Sequence, residues 1–239
     1  MKEDMFKLEV EKLGVYCTDE MLDKLKLYCA FLLEYNKHTN LTAIRNEKDV
    51  YLKHFYDSLT LVKAVNLNQI STFLDIGSGA GFPGIVLKIF YPHLSGTLID
   101  SNNKKTTFLK ALVEKLELIN IEIVNDRIEN YSKNHLNCFD LVTARAVTNM
   151  RVLAELALPL VKPNGFLVAM KGKVEDEFKE AQDTISIMGG ELVETISFTL
   201  IQENSDRSLV KLKKLRETLL SEVRTYDKIV KKPLQKNDK

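Results

Sequence analysis

Apolar residues in the N-terminal part of the chain recur at the spacing of an amphipathic helix. They form one stripe, which consists of Leu22, Leu25, Tyr28, Cys29, Leu32 and Tyr35. Thr18 precedes the stripe as a predicted N-cap, and the polar run 36–40 ends it. Asn46 predicts the N-cap of a further helix that continues through Tyr56. We therefore predict a helical N-terminal segment over residues 1–65.

From Ser71 onward, short apolar runs alternate with helical patterns. The predicted strands cover residues 72–76, 97–100, 121–125, 139–143, 165–170, 191–199 and 208–213. The predicted helical stretches are 83–90, 103–116, a short turn at 127–131, 149–160 and 174–188. This alternation predicts an α/β domain over residues 66–215, with a doubly wound, mostly parallel, seven-stranded sheet. No helix separates the last two strands, so one of them should run antiparallel.

Composition is that of an ordinary soluble globular protein, with 45% hydrophobic and 28% charged residues. No run of about 18 apolar residues is present, and the first residues are charged. We therefore expect no membrane span, no secretory signal and a cytoplasmic location. Cys17, Cys29 and Cys138 lack metal-ligand spacing, so reduced thiols and no metal site are expected.

Charge is unevenly distributed along the chain. The net charge is +1, but residues 205–239 carry +6 and the remaining residues carry −5. A basic terminus on a slightly acidic body favours an anionic partner, nucleic acid foremost. The alternative is that the charged tail is merely solvated. In either case we expect the tail, residues 216–239, to be loosely ordered or ordered by a partner.

A glycine-rich loop, Asp75-Ile-Gly77-Ser-Gly79-Ala-Gly81-Phe82, follows the first predicted strand and precedes a helix. Glycines there permit a sharp turn and close approach of the backbone to a ligand. Phe82 stands where a dinucleotide fingerprint has its third glycine, which argues against the rival of a nicotinamide-dependent oxidoreductase.

Two carboxylates accompany this loop. S-adenosylmethionine is a nucleoside cofactor that has no phosphate and carries an amino-acid head. Asp75 is a candidate to favour the amino group of that head. Asp100 ends the second strand, where a carboxylate accepts hydrogen bonds from ribose hydroxyls. The alternative, that the glycines serve only packing, leaves Asp100 unexplained. After the third strand, Ile128 and Glu129 are candidates to contact adenine, unless this segment only caps the next helix.

The residues after the fourth strand, Thr143-Ala-Arg145-Ala-Val, should face the methyl group of such a cofactor. They hold no Asn-Pro-Pro-Tyr cluster for an exocyclic amine, and Cys138 lies before the strand, on the wrong side to attack a pyrimidine carbon. A ring nitrogen such as guanine N7 remains, because it needs no base and depends on proximity alone.

Several basic side chains are candidates for the substrate side. Arg145 is predicted to lie nearest the chemistry, unless it forms an ion pair with an acid such as Glu129. Lys171 and Lys173 follow the fifth strand and are candidates to contact phosphate, or else belong to a solvated turn. His54 and Asp57 share one helical face, which favours a surface pair or cap over general-base work.

These motifs resemble the GidB family of bacterial small-subunit ribosomal RNA guanine-N7 methyltransferases. The resemblance extends over about residues 30–213. The matching stretches are Asn36–Ile44, Lys53–Leu59, Asp75–Gly84, Asp100-Ser101 with Lys104-Lys105, Asp126–Glu129, Thr143–Ala146, Pro159-Leu160 and Lys171-Gly172. The tail departs from the family pattern, because Glu222-Val223-Arg224 replaces Tyr-Pro-Arg and a Gly-x-Pro is missing.

The resemblance implies a Rossmann-like class I methyltransferase that uses S-adenosylmethionine and modifies a guanine near the decoding site of 16S ribosomal RNA. Its partner would be that RNA or an assembling ribosomal subunit, with the protein expected to be a monomer. The predicted cofactor-binding residues are Asp75, Gly77, Gly79, Gly81, Phe82, Asp100, Ser101, Asn102, Ile128, Glu129 and Arg145. The predicted RNA-binding residues are His54, Lys104, Lys105, Lys171, Lys173 and Arg224. The alternative function is a non-catalytic RNA-binding module that retains the fold.

Overall fold

The computed structural model describes residues 1–172 and 177–235. Its centre is a seven-stranded sheet in the order β3-β2-β1-β4-β5-β7-β6. The strands are β1 (Thr72–Ile76), β2 (Ser95–Ile99), β3 (Ile121–Val124), β4 (Phe139–Arg145), β5 (Val161–Lys171), β6 (Gly190–Leu200) and β7 (Ser205–Lys214). The first five pair in parallel, and β7 runs antiparallel to both β5 and β6. The predicted doubly wound, mostly parallel α/β fold is confirmed.

The fifth strand begins earlier than predicted. Pro163, Asn164 and Gly165 have the composition of a turn, so the prediction started the strand at Gly165. In the structure Val161 already pairs with Phe139, and the register then shifts so that Phe166 pairs with Leu141, with the extra residues of β5 between the two pairs. A bulge of this kind has a weak sequence signal, because it depends on the partner strand.

Helices cover both faces of the sheet. They are α5 (Gly84–Phe90), α6 (Asn103–Lys115), α7 (Ile128–Tyr131), α8 (Met150–Ala157) and α9 (Glu177–Ile187). Buried side chains of α5 and α6 join one apolar core, and those of α8 and α9 join a second core across the sheet. Helices α6 and α9 bury one face each, as expected for layers of helices around a sheet. Every residue of α5 is buried, because the N-terminal segment covers its outer side.

The N-terminal segment is helical, as predicted, and packs into the first of these cores. Its helices are α1 (Glu3–Lys12), α2 (Asp19–Thr39), α3 (Glu47–Val50) and α4 (Asp57–Leu59). The Met21 amide donates to Thr18 Oγ1 at 3.2 Å, and the Asp49 amide donates to Asn46 Oδ1 at 3.0 Å, which confirms both predicted N-caps. A π-helical stretch, Tyr51–Tyr56, was not predicted; such stretches are frequent at functional sites.

The tail contains a short helix, α10 (Tyr226–Lys231), that packs against α8. Ile229 of α10 is buried in a cluster with Val152 and Leu156. The prediction of a loosely ordered tail is therefore wrong for this segment, because Ile229 supplies an apolar anchor. No helix in the described part of the chain has the length and apolarity needed to span a membrane.

Candidate active site

The glycine-rich loop connects β1 to α5 with its glycines in left-handed conformations, φ being +64° at Gly77, +59° at Gly79 and +100° at Gly81. A Cβ atom at Gly77 would lie 2.8 Å from Val147 Cγ2, and one at Gly81 would lie 2.7 Å from the Tyr28 hydroxyl oxygen. Gly77 and Gly81 are therefore required by packing as well as by backbone conformation. At Gly79 the added atom would make only an ordinary contact, 3.9 Å from the Gly77 carbonyl oxygen, so the need for glycine there comes from the backbone conformation.

Tyr28 of α2 fixes the loop from the N-terminal segment, and the sequence prediction treated it only as core. Its hydroxyl donates to the Ala80 carbonyl, and its ring stacks on Phe82 with centroids 5.3 Å apart. The Phe82 ring also stacks with that of His54, whose centroid lies 4.2 Å away. The Phe82 ring, predicted to contact the cofactor, is thus buried in an aromatic stack that supports the loop.

Asp100 stands directly after β2 and is bonded to the glycine loop. Its Oδ2 accepts from the Gly79 amide at 3.0 Å, and its Oδ1 accepts from the Asn102 amide at 2.9 Å. Lys105 Nζ lies 3.4 Å from the same carboxylate. These contacts hold an almost fully buried carboxylate in one orientation. Lys105, predicted to bind RNA, is therefore turned toward Asp100.

Two neighbours of Asp100 contribute differently. Asn102 caps α6 by accepting from the Lys104 amide at 3.0 Å, which explains an amide side chain at this position without the cofactor. Lys104 itself is exposed in the first turn of α6.

A cleft of about 200 Å³, here called the cofactor cleft, opens at the carboxyl ends of β1, β2 and β3. This is where ligands bind in open α/β sheets. The structure brings together five predicted cofactor residues: Gly77, Asp100, Ser101, Ile128 and Glu129. The other lining residues are Ile76, Ile99, Asp126, Arg127, Val147, Thr148, Leu156 and Tyr226.

Asp75 is completely buried beside the loop. Its Oδ2 accepts from the Gly84 amide at 2.9 Å, whereas its Oδ1 has no partner among the described residues. Burial raises the pKa of this carboxyl group to about 7. An unpaired buried oxygen is costly, so it fits a ligand that donates, as an ammonium group does. The residues present thus suit S-adenosylmethionine, which carries an amino group.

A second cleft of about 460 Å³, here called the substrate cleft, contains Arg145. Arg145 Nη1 donates to Asp57 Oδ2 at 3.2 Å and to the Lys53 carbonyl at 3.1 Å. Arg207 Nε donates to the other oxygen of Asp57 at 2.9 Å. The ion pair of Arg145 is therefore with Asp57 and not with Glu129, the acid considered from the sequence. Arg207 and Asp57 were not predicted as site residues.

His54 bridges Arg145 and Thr42. Arg145 Nη2 lies 3.1 Å from His54 Nδ1, and Thr42 Oγ1 lies 2.9 Å from His54 Nε2. A guanidinium group only donates, so Nδ1 accepts and Nε2 carries the proton that is donated to Thr42. Burial, reinforced by the charge of Arg145, lowers the pKa of His54 to about 3. The ring is neutral and both nitrogens are bonded, and His54 and Asp57 meet at Arg145 rather than as a surface pair.

The remaining predicted RNA contacts have separate environments. Lys171 Nζ donates to the Thr148 carbonyl at 2.9 Å and to Glu177, at the edge of the substrate cleft. Lys173 lies outside the described residues. Arg224 lies far along the chain and forms an ion pair with Glu155.

The two clefts meet at the carboxyl end of β4. Arg145 and Ala146 line the substrate cleft, whereas Val147 and Thr148 line the cofactor cleft. Ala146 has a φ of +53°, a left-handed conformation that is uncommon for a residue with a Cβ atom and that turns the chain between the clefts. The segment 145–148 therefore borders both clefts.

The family model for rRNA small subunit methyltransferase G matches residues 21–217. The chain belongs to this family. It is 46% identical over 223 residues to the protein of that name from Lactobacillus helveticus, which covers 91% of this chain and 93% of the relative. It is 44% identical over 208 residues to the Bacillus subtilis protein, with coverage of 86% and 87%. This protein is accordingly a methyltransferase, and its cofactor is S-adenosylmethionine, as predicted.

Solved structures show the same fold at low sequence identity. The YcgJ protein from Bacillus subtilis superposes with a TM-score of 0.53 and 14% identity, covering 68% of this chain and 100% of that chain. A 16S rRNA (adenine(1408)-N(1))-methyltransferase from Catenulisporales acidiphilia gives a TM-score of 0.51 and 12% identity, with 61% and 86% covered. The Rossmann-like methyltransferase fold is therefore confirmed.

Proposed function

We propose that this protein transfers a methyl group from S-adenosylmethionine to N7 of a guanine in the 16S RNA of the small ribosomal subunit. The observation that carries the proposal is the meeting of the two clefts at residues 145–148. A methyl donor in one cleft and an acceptor in the other would face each other across this segment. Relatives named for the ribosomal RNA of the small subunit support the substrate class.

On the cofactor side, the chain supplies backbone turns and carboxylates. Asp100 would accept from the ribose hydroxyls, held in place by the Gly79 amide. Asp75 Oδ1 would accept from the amino group of the amino-acid portion. Ile128 and Glu129 form the wall for the adenine end. When bound, S-adenosylmethionine supplies an electrophilic methyl carbon on its sulfonium.

On the substrate side, no described side chain of the cleft is free to act as a base. Lys53 is 2.6 Å from Glu203, Lys171 is bonded to Glu177, and both oxygens of Asp57 are bonded to arginines. His54 is neutral and bonded at both nitrogens. This arrangement suits guanine N7, whose lone pair attacks without losing a proton, so that the rate depends on alignment and proximity.

The basic groups of the substrate cleft would orient the RNA. Arg145 is fixed by Asp57 and stands 5.2 Å from the Phe82 ring, next to the cofactor loop. We assign it to positioning the guanine or an adjacent phosphate. Lys171, Lys173 and Lys104 are proposed contacts to the phosphate backbone.

The biological partner we propose is 16S ribosomal RNA within an assembling small subunit, with one copy of the chain acting as a monomer. A ribosomal substrate implies a cytoplasmic location. The net charge of +6 over residues 205–239 supports an RNA partner, because phosphate binding relies on Lys and Arg.

The proposal is tested by incubating the protein with methyl-labelled S-adenosylmethionine and small subunits from cells that lack this methyltransferase. We expect label in one guanine of 16S RNA, with the strand scission chemistry typical of N7-methylguanine. Label on another atom would contradict the N7 assignment. Cofactor binding with no label in the RNA would favour the alternative, a non-catalytic RNA-binding module.

A further inference from the structure

The short C-terminal helix α10 forms part of the cofactor cleft. Its first residue, Tyr226, lines the cleft beside Ile128 and Leu156 and is 39% exposed. An aromatic ring at the rim of this cleft offers a surface for a base. Tyr226 follows Arg224 by two residues in the C-terminal tail, outside residues 21–217 that the family model matches.

Two arginines hold α10 in place. Arg224 Nη2 donates to Glu155 Oε2 at 2.8 Å, while Arg224 Nε donates to the other carboxylate oxygen. Glu155 is buried, with 1% of its side chain exposed. Loss of either partner of this bidentate ion pair would therefore leave a charge without its partner, which is costly. Arg224 Nη1 also donates to the Lys232 carbonyl at 2.9 Å, and Arg151 Nη1 donates to the Ile229 carbonyl at 2.9 Å. The helix is therefore tied to α8 at several points.

Apolar packing connects this anchor to the cleft. Ile229 is 2% exposed and packs with Val152, Leu156 and Ile128. Leu156 and Ile128 also line the cofactor cleft. Leu156 and Ile128 thus contact α10 and also border the cleft, so a shift of α10 would alter the wall of the cleft.

We propose that Tyr226 covers the adenosyl group of the cofactor and that Arg224 acts as a positioning residue by holding α10 against α8. The inference rests on the proposed function of the cofactor cleft. The positioning role replaces the RNA contact that the sequence predicted for Arg224, since all three guanidinium nitrogens of Arg224 donate to Glu155 or to the Lys232 carbonyl. The C-terminal segment then contributes to cofactor affinity before any RNA is bound.

The test is calorimetric titration of the full chain with S-adenosylmethionine and with S-adenosylhomocysteine, in the absence of RNA. Tyr226→Ala should raise the Kd for both about tenfold, because a stacking surface for the purine is removed. Tyr226→Phe should stay within about twofold, since the ring is kept. Tyr16→Ala is the matched control, because Tyr16 is 79% exposed and lies between α1 and α2; its Kd should equal that of the parent.

The outcomes separate this inference from the function on which it rests. If the parent binds and Tyr226→Ala binds equally well, the role of Tyr226 is refuted and the cofactor cleft stands. If the parent binds neither compound, the role of Tyr226 and the proposed function of the cofactor cleft are both refuted. A tail that serves RNA alone predicts no change in these RNA-free titrations.

The role of Arg224 is tested by a double-mutant cycle on the same Kd. Arg224→Gln should weaken cofactor binding about threefold to fivefold in the parent and cause no further loss in Tyr226→Ala, because Arg224 acts through Tyr226. Additive losses, or no loss in the parent background, would overturn the positioning role. Circular dichroism shows whether each variant is folded, and Tyr226→Ala alone still tests the main claim if Arg224→Gln unfolds.

Discussion

The cofactor cleft and the substrate cleft lie on either side of residues 145–148 but are assembled differently. Gly77 and Asp100 of the cofactor cleft follow neighbouring strands, β1 and β2, and belong to one local motif. In the substrate cleft, Asp57 binds Arg145, which is 88 residues away, and Arg207, which is 150 residues away. The first site is thus specified by a short stretch of sequence, and the second exists only in the folded protein.

The clefts also differ in charge. The charged lining residues of the cofactor cleft are Asp100, Asp126, Glu129 and Arg127, an acidic set. Those of the substrate cleft are Lys53, Arg145, Lys171, Arg207, Asp57 and Glu177, a basic set. An acidic cleft suits a cationic sulfonium cofactor and a basic cleft suits RNA. The two sites are therefore expected to respond differently to mutation, pH and salt.

The largest expected difference is for Arg145→Ala. The variant removes the guanidinium of the substrate cleft, and Asp57 keeps its bond to Arg207. We expect kcat/KM for small-subunit RNA to fall about 100-fold, a loss typical of a removed positioning group, while the Kd for S-adenosylmethionine changes less than about threefold. Single-turnover methylation and calorimetry measure the two quantities.

The control for this experiment is Arg216→Ala. Arg216 forms an exposed ion pair with Glu222, away from the residues that line either cleft, so activity should be unchanged. If Arg145→Ala weakened cofactor and RNA binding equally, the separation of the two clefts would be contradicted.

Asp75→Asn tests the cofactor side and should lower cofactor affinity about tenfold at about pH 7.5, because an amide cannot supply the negative charge that attracts an ammonium group. The pKa of Asp75 is raised to about 7 by burial, so its carboxylate forms only as the pH passes that value. Affinity of the parent for S-adenosylmethionine should therefore rise between about pH 6 and 7.5, because the ionised form attracts the amino group. The variant should show no such rise in calorimetry, and an identical rise would exclude Asp75 as its source.

The raised pKa of Asp75 also predicts that the free energy of unfolding depends on pH when no ligand is bound. A folded pKa of about 7, above the ordinary 3.8, means that the folded state holds a proton that the unfolded state has released. The resulting stabilisation is complete below about pH 4 and declines to zero as the pH rises through about 7. Urea unfolding should show this decline in the parent and not in Asp75→Asn; parallel curves would contradict the buried, neutral carboxyl.

A smaller effect is expected for Lys171→Ala, which tests the basic character of the substrate cleft. The slope of log affinity for RNA against log salt should become shallower by about 0.7 for each phosphate that the variant no longer neutralises. Filter binding at several salt concentrations measures this slope. An unchanged slope would exclude Lys171 from RNA binding.

The smallest expected effect concerns His54. Because burial lowers its pKa to about 3, the ring should remain neutral from about pH 5 to 8 and should add no ionisation to the rate profile. Its neutral form contributes stability above about pH 6.5 that declines as the pH falls toward 3. NMR of the ring nitrogens would show this directly, and an imidazolium signal at about pH 6 would contradict it.

The sequence predicted the fold because strand and helix periodicities are local patterns, and it predicted which strand ends would bring five candidate cofactor residues to one cleft. Alternating strand and helix periodicities determine the sheet, and strand ends bring Gly77, Asp100 and Ile128 to one edge. It also predicted Arg145, which directly ends β4.

The site residues that the sequence did not predict come together only through tertiary contacts. Asp57 and Arg207 meet only because the fold brings α4 next to β7, and Tyr28 reaches the glycine loop from α2 across 52 residues. Tyr226 enters the cofactor cleft through the anchor of Arg224 on Glu155. Periodicity identifies such residues as core or surface but not as partners.

The central claim is that the turn at Gly77 and the carboxylate of Asp100 hold the adenosyl part of the cofactor. Calorimetric titration of S-adenosylmethionine against the parent and Asp100→Ala tests it most directly, with Asp23→Ala as the control, because Asp23 is exposed on α2 and lines neither cleft. We predict binding by the parent and the control, and an affinity reduced about 30-fold or more in Asp100→Ala, which forfeits charge-assisted bonds to two hydroxyls. Equal affinity in Asp100→Ala would contradict the claim.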